Sequence, residues 1–206
     1  AQTGVALALG IPGEAVMGLV GPEFVAGTAA LGFLLAAEVV AATAAVSESA
    51  LIYCARKRNM AVSLAMIGLQ VVLSVGLIIA MEREGWAPMT VATGPAVALL
   101  LALGFASIVK ARLLHKLLGA PVSGWRWTLI WASAAAVAVG WLFTRLPPSL
   151  EWLELLGGIP AILLAFGFVI WTRGFGPEDR ELFRMRKAEI EELSLPDPVV
   201  GADAPR

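Results

Sequence analysis

Five side chains are out of place for their apolar surroundings, and they are where chemistry would have to happen. Glu38 falls near the middle of the apolar run 29–53. A carboxylate at the centre of a bilayer costs roughly 3 kcal/mol on insertion scales, so by default such a residue faces a bundle interior or a water-filled cavity and has a function. Its helical stripe continues through Ala41, Ala42, Ala45 and Ser49, all small. That stripe predicts either a close helix contact or a cavity wall; the plainer alternative for Glu38 is a hydrogen bond to a neighbouring helix. Glu48, flanked by Ser47 and Ser49, lies one to two turns from the end of the same run. It is a second candidate, although a pair with Arg56 or Lys57, or contact with interfacial water, accounts for it equally simply. Glu14 stands beside the Gly10-Ile11-Pro12-Gly13 break, where an unwound helix can line a cavity or end near the outer interface. Gln70 shares one face with Ser63 and Ser74, a pattern that more often joins helices than binds cargo.

The elements that must position these residues are membrane spans. The chain has 206 residues, of which 59% are hydrophobic and 15% charged; a soluble domain carries about 25% charged residues. The mean hydropathy is +0.82. A helix needs about 20 mainly apolar residues to cross the hydrocarbon. Five segments satisfy this, at 29–53, 60–81, 88–109, 127–143 and 153–172, and a broken one does so marginally at 3–20. The prediction is an all-α polytopic bundle of six spans over 1–173, followed by an amphipathic tail helix over 174–193 and a disordered tail over 194–206. Pro177, Glu178 and Asp179 suit the start of that tail helix.

Orientation follows from Lys and Arg, which concentrate in cytoplasmic loops. Arg56, Lys57 and Arg58 fall in one loop, Lys110, Arg112, Lys116 and Arg126 in another, and Arg173, Arg180, Arg184, Arg186, Lys187 and Arg206 in the tail. Only Arg83 and Arg145 fall in the alternate loops. The alternation predicts both ends in the cytoplasm of a bacterial inner membrane. Trp86, Trp125, Trp127, Trp141, Trp152 and Trp171 fall near span ends, with Trp131 about one turn inside, as an interfacial belt requires. The small-residue stretches 36–50 and 132–140 predict helices interior to a bundle. Pro95 and Pro160 interrupt two spans, where Pro usually marks a kink.

Other chemistries find no support. The single cysteine, Cys54, and single histidine, His115, rule out a disulfide framework and argue against a metal site built on them. There is no P-loop, HExxH, CxxC or GxSxG motif. The basic loops are explained by topology, so no nucleic-acid partner is expected. The opening Ala1-Gln2-Thr3-Gly4 lacks an initiator Met and reads as a piece of a longer protein.

Residues 21–59 read GPEFVAGTAALGFLLAAEVVAATAAVSESALIYCARKRN. A short outer loop of the Gly21-Pro22-Glu23-Phe24 kind, a long span rich in small residues and the basic turn Arg56-Lys57-Arg58-Asn59 together resemble the C-terminal half of bacterial polysaccharide and O-antigen flippases, of the multidrug/oligosaccharidyl-lipid/polysaccharide exporter superfamily. The tail Gly174-Phe175-Gly176-Pro177-Glu178-Asp179-Arg180-Glu181-Leu182 is similar to family tails. The resemblance implies a transporter rather than an enzyme, which moves lipid-linked oligosaccharide for lipopolysaccharide or exopolysaccharide biosynthesis by alternating access. Implied partners are membrane lipid, the lipid-linked oligosaccharide, the N-terminal half of the same transporter and polysaccharide assembly proteins. No cofactor is implied, and proton or sodium coupling through a Glu stays open. Only the idea of cavity charges carries over, with Glu38 as the best match. Basic cavity residues suited to a pyrophosphate-linked glycan are not evident inside the spans. Alternatives are a multidrug/cation antiporter or a peptidoglycan lipid precursor flippase of the same superfamily, a membrane-embedded glycan polymerase or acyltransferase, and a non-transporting assembly subunit.

Overall fold

The computed structural model describes residues 2–119, 127–145 and 151–174. The predicted tail helix and disordered tail lie outside the described residues beyond Gly174, as do Trp125 and Arg126. Every regular element described is helical: α1 (Gln2–Gly10), α2 (Gly13–Val20), a 3-10 turn (Pro22–Gly27), α3 (Thr28–Cys54), α4 (Arg56–Arg83), α5 (Pro88–Val91), α6 (Thr93–Leu118), α7 (Trp127–Phe143), α8 (Glu151–Leu153), a π turn (Glu154–Gly158) and α9 (Ile159–Arg173).

Four helical stretches are long and apolar enough to cross a bilayer: Pro22–Cys54, Arg56–Arg83, Pro88–Leu118 and Glu154–Arg173. The pair α1–α2, bent by 74°, makes a fifth if counted as one span. The helix α7 is apolar but has 17 residues, a rise of about 25 Å against about 30 Å of hydrocarbon. The outward faces explain why these helices belong in lipid. On α4, Leu64, Ile67, Val71, Val72, Val75 and Ile79 are all exposed. On α9, Leu164, Phe168 and Trp171 are exposed by 69–74%. Water would penalise such faces, whereas lipid solvates them.

The helices pack as two groups. In one, α6 lies against both α3 and α4; in the other, α7 packs on α9. The broken helix joins them, since α1 touches α3, α7 and α9. Small residues make these approaches possible, as expected where packing replaces the hydrophobic effect. Ala132, Ala136 and Gly140 form the buried stripe of α7. A Cβ on Gly140 would stand 2.8 Å from Ile11, and one on Gly4 would stand 2.8 Å from the Phe166 ring. The stretch 132–140 is thus interior on one face, as its composition predicts. The stretch 36–50 is interior on one face only: Ala37, Ala44 and Ser47 are buried, while Glu38, Ala45 and Ser49 are exposed.

Neither proline sits in the middle of a helix. Pro95 occupies the first turn of α6, where its missing N–H has no partner to lose. Pro160 lies at the start of α9, directly after the wider π turn that takes up the interrupted hydrogen bonding. The structure places the real interruption in the first span, at Gly10–Gly13, where the sequence also puts it. Pro12 is fully buried there, and Gly13 packs so closely on Thr28 that a Cβ would come within 2.8 Å.

The described tryptophans agree with an interfacial belt. Trp86, Trp127, Trp131, Trp141, Trp152 and Trp171 are all at least half exposed. Arg145 stacks over Trp141 at 4.2 Å from the ring centroid, a cation–π contact.

Candidate functional site

The long helix α3 carries three of the five candidates, and its two faces do different things. The buried face, through Ala37, Ala44, Ser47 and Leu51, meets α6. On α6 the matching stripe is Ala98, Ala102, Ala106, Lys110 and Leu114, one residue every four. Alanines at that spacing let two helices run close together. Lys110 continues the same stripe, so its side chain enters a contact built for methyl groups.

Lys110 is 4% exposed, and its Nζ lies 3.1 Å from an Oε of Glu48, whose side chain is 40% exposed. One turn away along the same interface, the hydroxyls of Thr43 and Ser107 are 3.2 Å apart. Together they form a polar seam between α3 and α6. A buried ammonium needs an opposite charge and hydrogen bonds to be tolerated. Glu48 supplies the charge from a half-exposed position.

The sequence places Glu48 near Arg56 or Lys57, and the partner is instead on a distant helix. Lys110 reads from the sequence as the first residue of a loop, because the apolar run ends at 109. The helix continues to Leu118 and closes on Gly119 in the left-handed conformation at φ 65°. The available signal was the lack of any Gly or Pro between 105 and 118, followed by a glycine cap.

Glu38 lies on the other face of α3 and is exposed. Among the described residues its carboxylate makes no hydrogen bond or ion pair. Ala41 and Ala42 beside it are half-buried, and Ala45 and Ser49 are exposed. The Ser49 hydroxyl donates to the Ala45 carbonyl at 3.0 Å, which satisfies it within its own helix. Thus the small stripe predicted around Glu38 exists, and it forms an open face rather than a helix contact inside this chain.

The remaining candidates are dispersed. Glu14 is exposed in the first turn of α2, immediately after the break. There a carboxylate interacts favourably with the positive end of the helix dipole. Gln70 is half-buried together with Ser63 and Ser74, on a stripe that flanks the exposed apolar face of α4. That position fits the helix-joining reading. A crevice of about 470 Å³ opens between α1 and α3, lined by residues such as Leu7, Leu35, Val39 and Leu100, and by none of the five candidates. Among the described residues no group of His, Cys, Asp and Glu is placed to hold a metal ion. No family model, curated protein or solved structure matches this chain.

Proposed function

We propose that this chain is one six-span bundle of a bacterial inner-membrane flippase for lipid-linked oligosaccharide, its C-terminal half, and that the Glu38 face of α3 is one wall of the translocation path. The observation that carries the reading is the Glu38 carboxylate, midway along a long apolar helix, exposed and unpartnered among the described residues. An ionisable group does not face hydrocarbon at that depth without large cost. In the working molecule this face therefore meets water or another protein surface. A second bundle set across from it would enclose a polar cavity between two halves, the arrangement that alternating access uses. The sugar headgroup would travel in that cavity while its lipid tail stays in the bilayer.

Six spans follow if the bent pair α1–α2 is one crossing and the short α7 is another, which a locally thinned bilayer accommodates. The Lys and Arg distribution then puts both ends in the cytoplasm. The broken helix between the two helix groups also suits a transporter, where discontinuous helices gather at the binding region. The Lys110 charge, by contrast, is already committed to Glu48. Cations for an anionic cargo would come from the facing bundle.

The reading is tested by complementation. A strain lacking its polysaccharide flippase, given the complete gene together with the matching glycan-assembly genes, should regain surface polysaccharide. No recovery, with the protein present in the membrane, would sink the cargo assignment.

A further inference from the structure

The turn between α3 and α4 carries a feature that membrane topology does not require. Arg56, Lys57 and Arg58 are consecutive, and all three are exposed. Among the described residues none of them forms an ion pair. They line an open surface hollow of about 440 Å³ together with Cys54, Ala55 and Leu117, the last from the end of α6. Three helix ends therefore meet around one basic hollow. Ala55 gives α4 no side-chain cap, so the first-turn N–H groups of that helix are also without a side-chain acceptor. Orientation by positive charge needs only a count of Lys and Arg in a loop. It does not need a hollow that all three residues line.

The position fixes the kind of ligand. The hollow lies where two long apolar helices end, next to Tyr53, which is 91% exposed. That is headgroup depth for a span. Arg and Lys around a hollow at this level suit a phosphate oxygen cluster, which their cationic N–H groups hold by charge-assisted hydrogen bonds. We propose that the α3–α4 turn is a binding site for an anionic phosphodiester carried by a membrane phospholipid. The site is separate from the Glu38 face and does not depend on the cargo of the transporter. Its charges lie on α4 and its rim includes α6, so a bound headgroup would tie together the ends of these helices.

Cys54 gives a direct readout, because it is the single cysteine of the chain, is exposed and lines the hollow. The rate of its alkylation by neutral N-ethylmaleimide is measured on the purified chain in detergent with added phosphatidylglycerol, phosphatidylcholine or inorganic phosphate. Phosphatidylglycerol at about ten times its dissociation constant should slow the reaction roughly 10-fold. Phosphatidylcholine and free phosphate should leave it unchanged. The triple variant Arg56→Gln/Lys57→Gln/Arg58→Gln should lose the protection. The triple variant Arg83→Gln/Arg145→Gln/Arg173→Gln, which removes the same charge from exposed residues that do not line the hollow, should keep it, and so should Arg56→Lys/Arg58→Lys. Equal rates in the two lipids would overturn the proposal. So would protection that survives the first triple variant or disappears in the Lys-for-Arg variant, which preserves the charge. Protection by inorganic phosphate alone would overturn the lipid as its source.

Discussion

Replacing Glu38 by Gln is expected to reduce polysaccharide export by about 10- to 100-fold, the equivalent of losing one charge-assisted hydrogen bond of roughly 1.5–3 kcal/mol. The same substitution should leave unfolding in detergent unchanged or slightly harder. The two halves of this expectation come from one observation. Glu38 is exposed and has no hydrogen bond or ion pair among the described residues, so nothing in this chain loses a partner when the charge goes. Gln has nearly the same shape and removes a group that is expensive at mid-membrane depth. A purely structural glutamate would behave the other way, with export falling only as far as stability falls. Surface polysaccharide and thermal unfolding, measured on the same variant, separate the two cases. Normal export would remove Glu38 from the path.

The second large effect belongs to the α3–α6 seam, and it should be asymmetric. Glu48→Gln strands the Lys110 ammonium in a position 4% exposed. Removing one member of a fully buried pair costs about 3–5 kcal/mol; with Glu48 at 40% exposure, a loss nearer 2 kcal/mol is expected. Lys110→Met removes the buried charge itself and fills the space among Ala106 and Leu114 with an apolar chain. Glu48 is then left at a half-exposed site, so this variant should lose less than about 1 kcal/mol. The double variant should resemble Lys110→Met alone. Denaturant unfolding of the three proteins in detergent gives the coupling directly. Equal losses in the two single variants, or a silent Glu48→Gln, would mean that the pair holds nothing together.

How far the sequence discloses this arrangement depends on what kind of information each feature needs. Long apolar runs report spans well, because lipid lets residues such as Val71 and Leu164 remain hydrophobic on the outside. The break at Gly10–Gly13 is legible because Pro and Gly act locally on the backbone. So is the interior face of α7, whose Ala132, Ala136 and Gly140 repeat every four residues. Span ends are less legible. Hydropathy drops at Lys110, yet the backbone stays helical for two more turns, since hydropathy reports the solvent and not the hydrogen bonding. Pairing is least legible of all. Glu48 sits closer along the chain to Arg56 and Lys57 than to Lys110, but the turn at Ala55 carries those cations to the hollow between helix ends. The register of α3 against α6 decides the partner, and no local pattern encodes that register. The division into two helix groups joined by α1 is a tertiary fact of the same kind. For Glu38, the sequence marks the residue and its small neighbours, while the structure adds that this face is left open by the chain's own helices.

The central claim is that the open face of α3 lines a water-filled path in the complete transporter, and thiol accessibility measures that most directly. In a cysteine-free version of the complete protein, in its native membrane, Glu38→Cys, Ala45→Cys and Ser49→Cys are each treated with a charged, membrane-impermeant maleimide. Val71→Cys and Val75→Cys, on the outward apolar face of α4, serve as lipid-facing references, since a thiol reacts through its thiolate and hydrocarbon suppresses that form. The account predicts that the three α3 positions are labelled, and that added lipid-linked oligosaccharide protects them, while the two α4 positions stay inert. A thiol at position 38 as unreactive as one at position 71 would contradict it, because the face would then be sealed by lipid or protein and could carry no polar cargo.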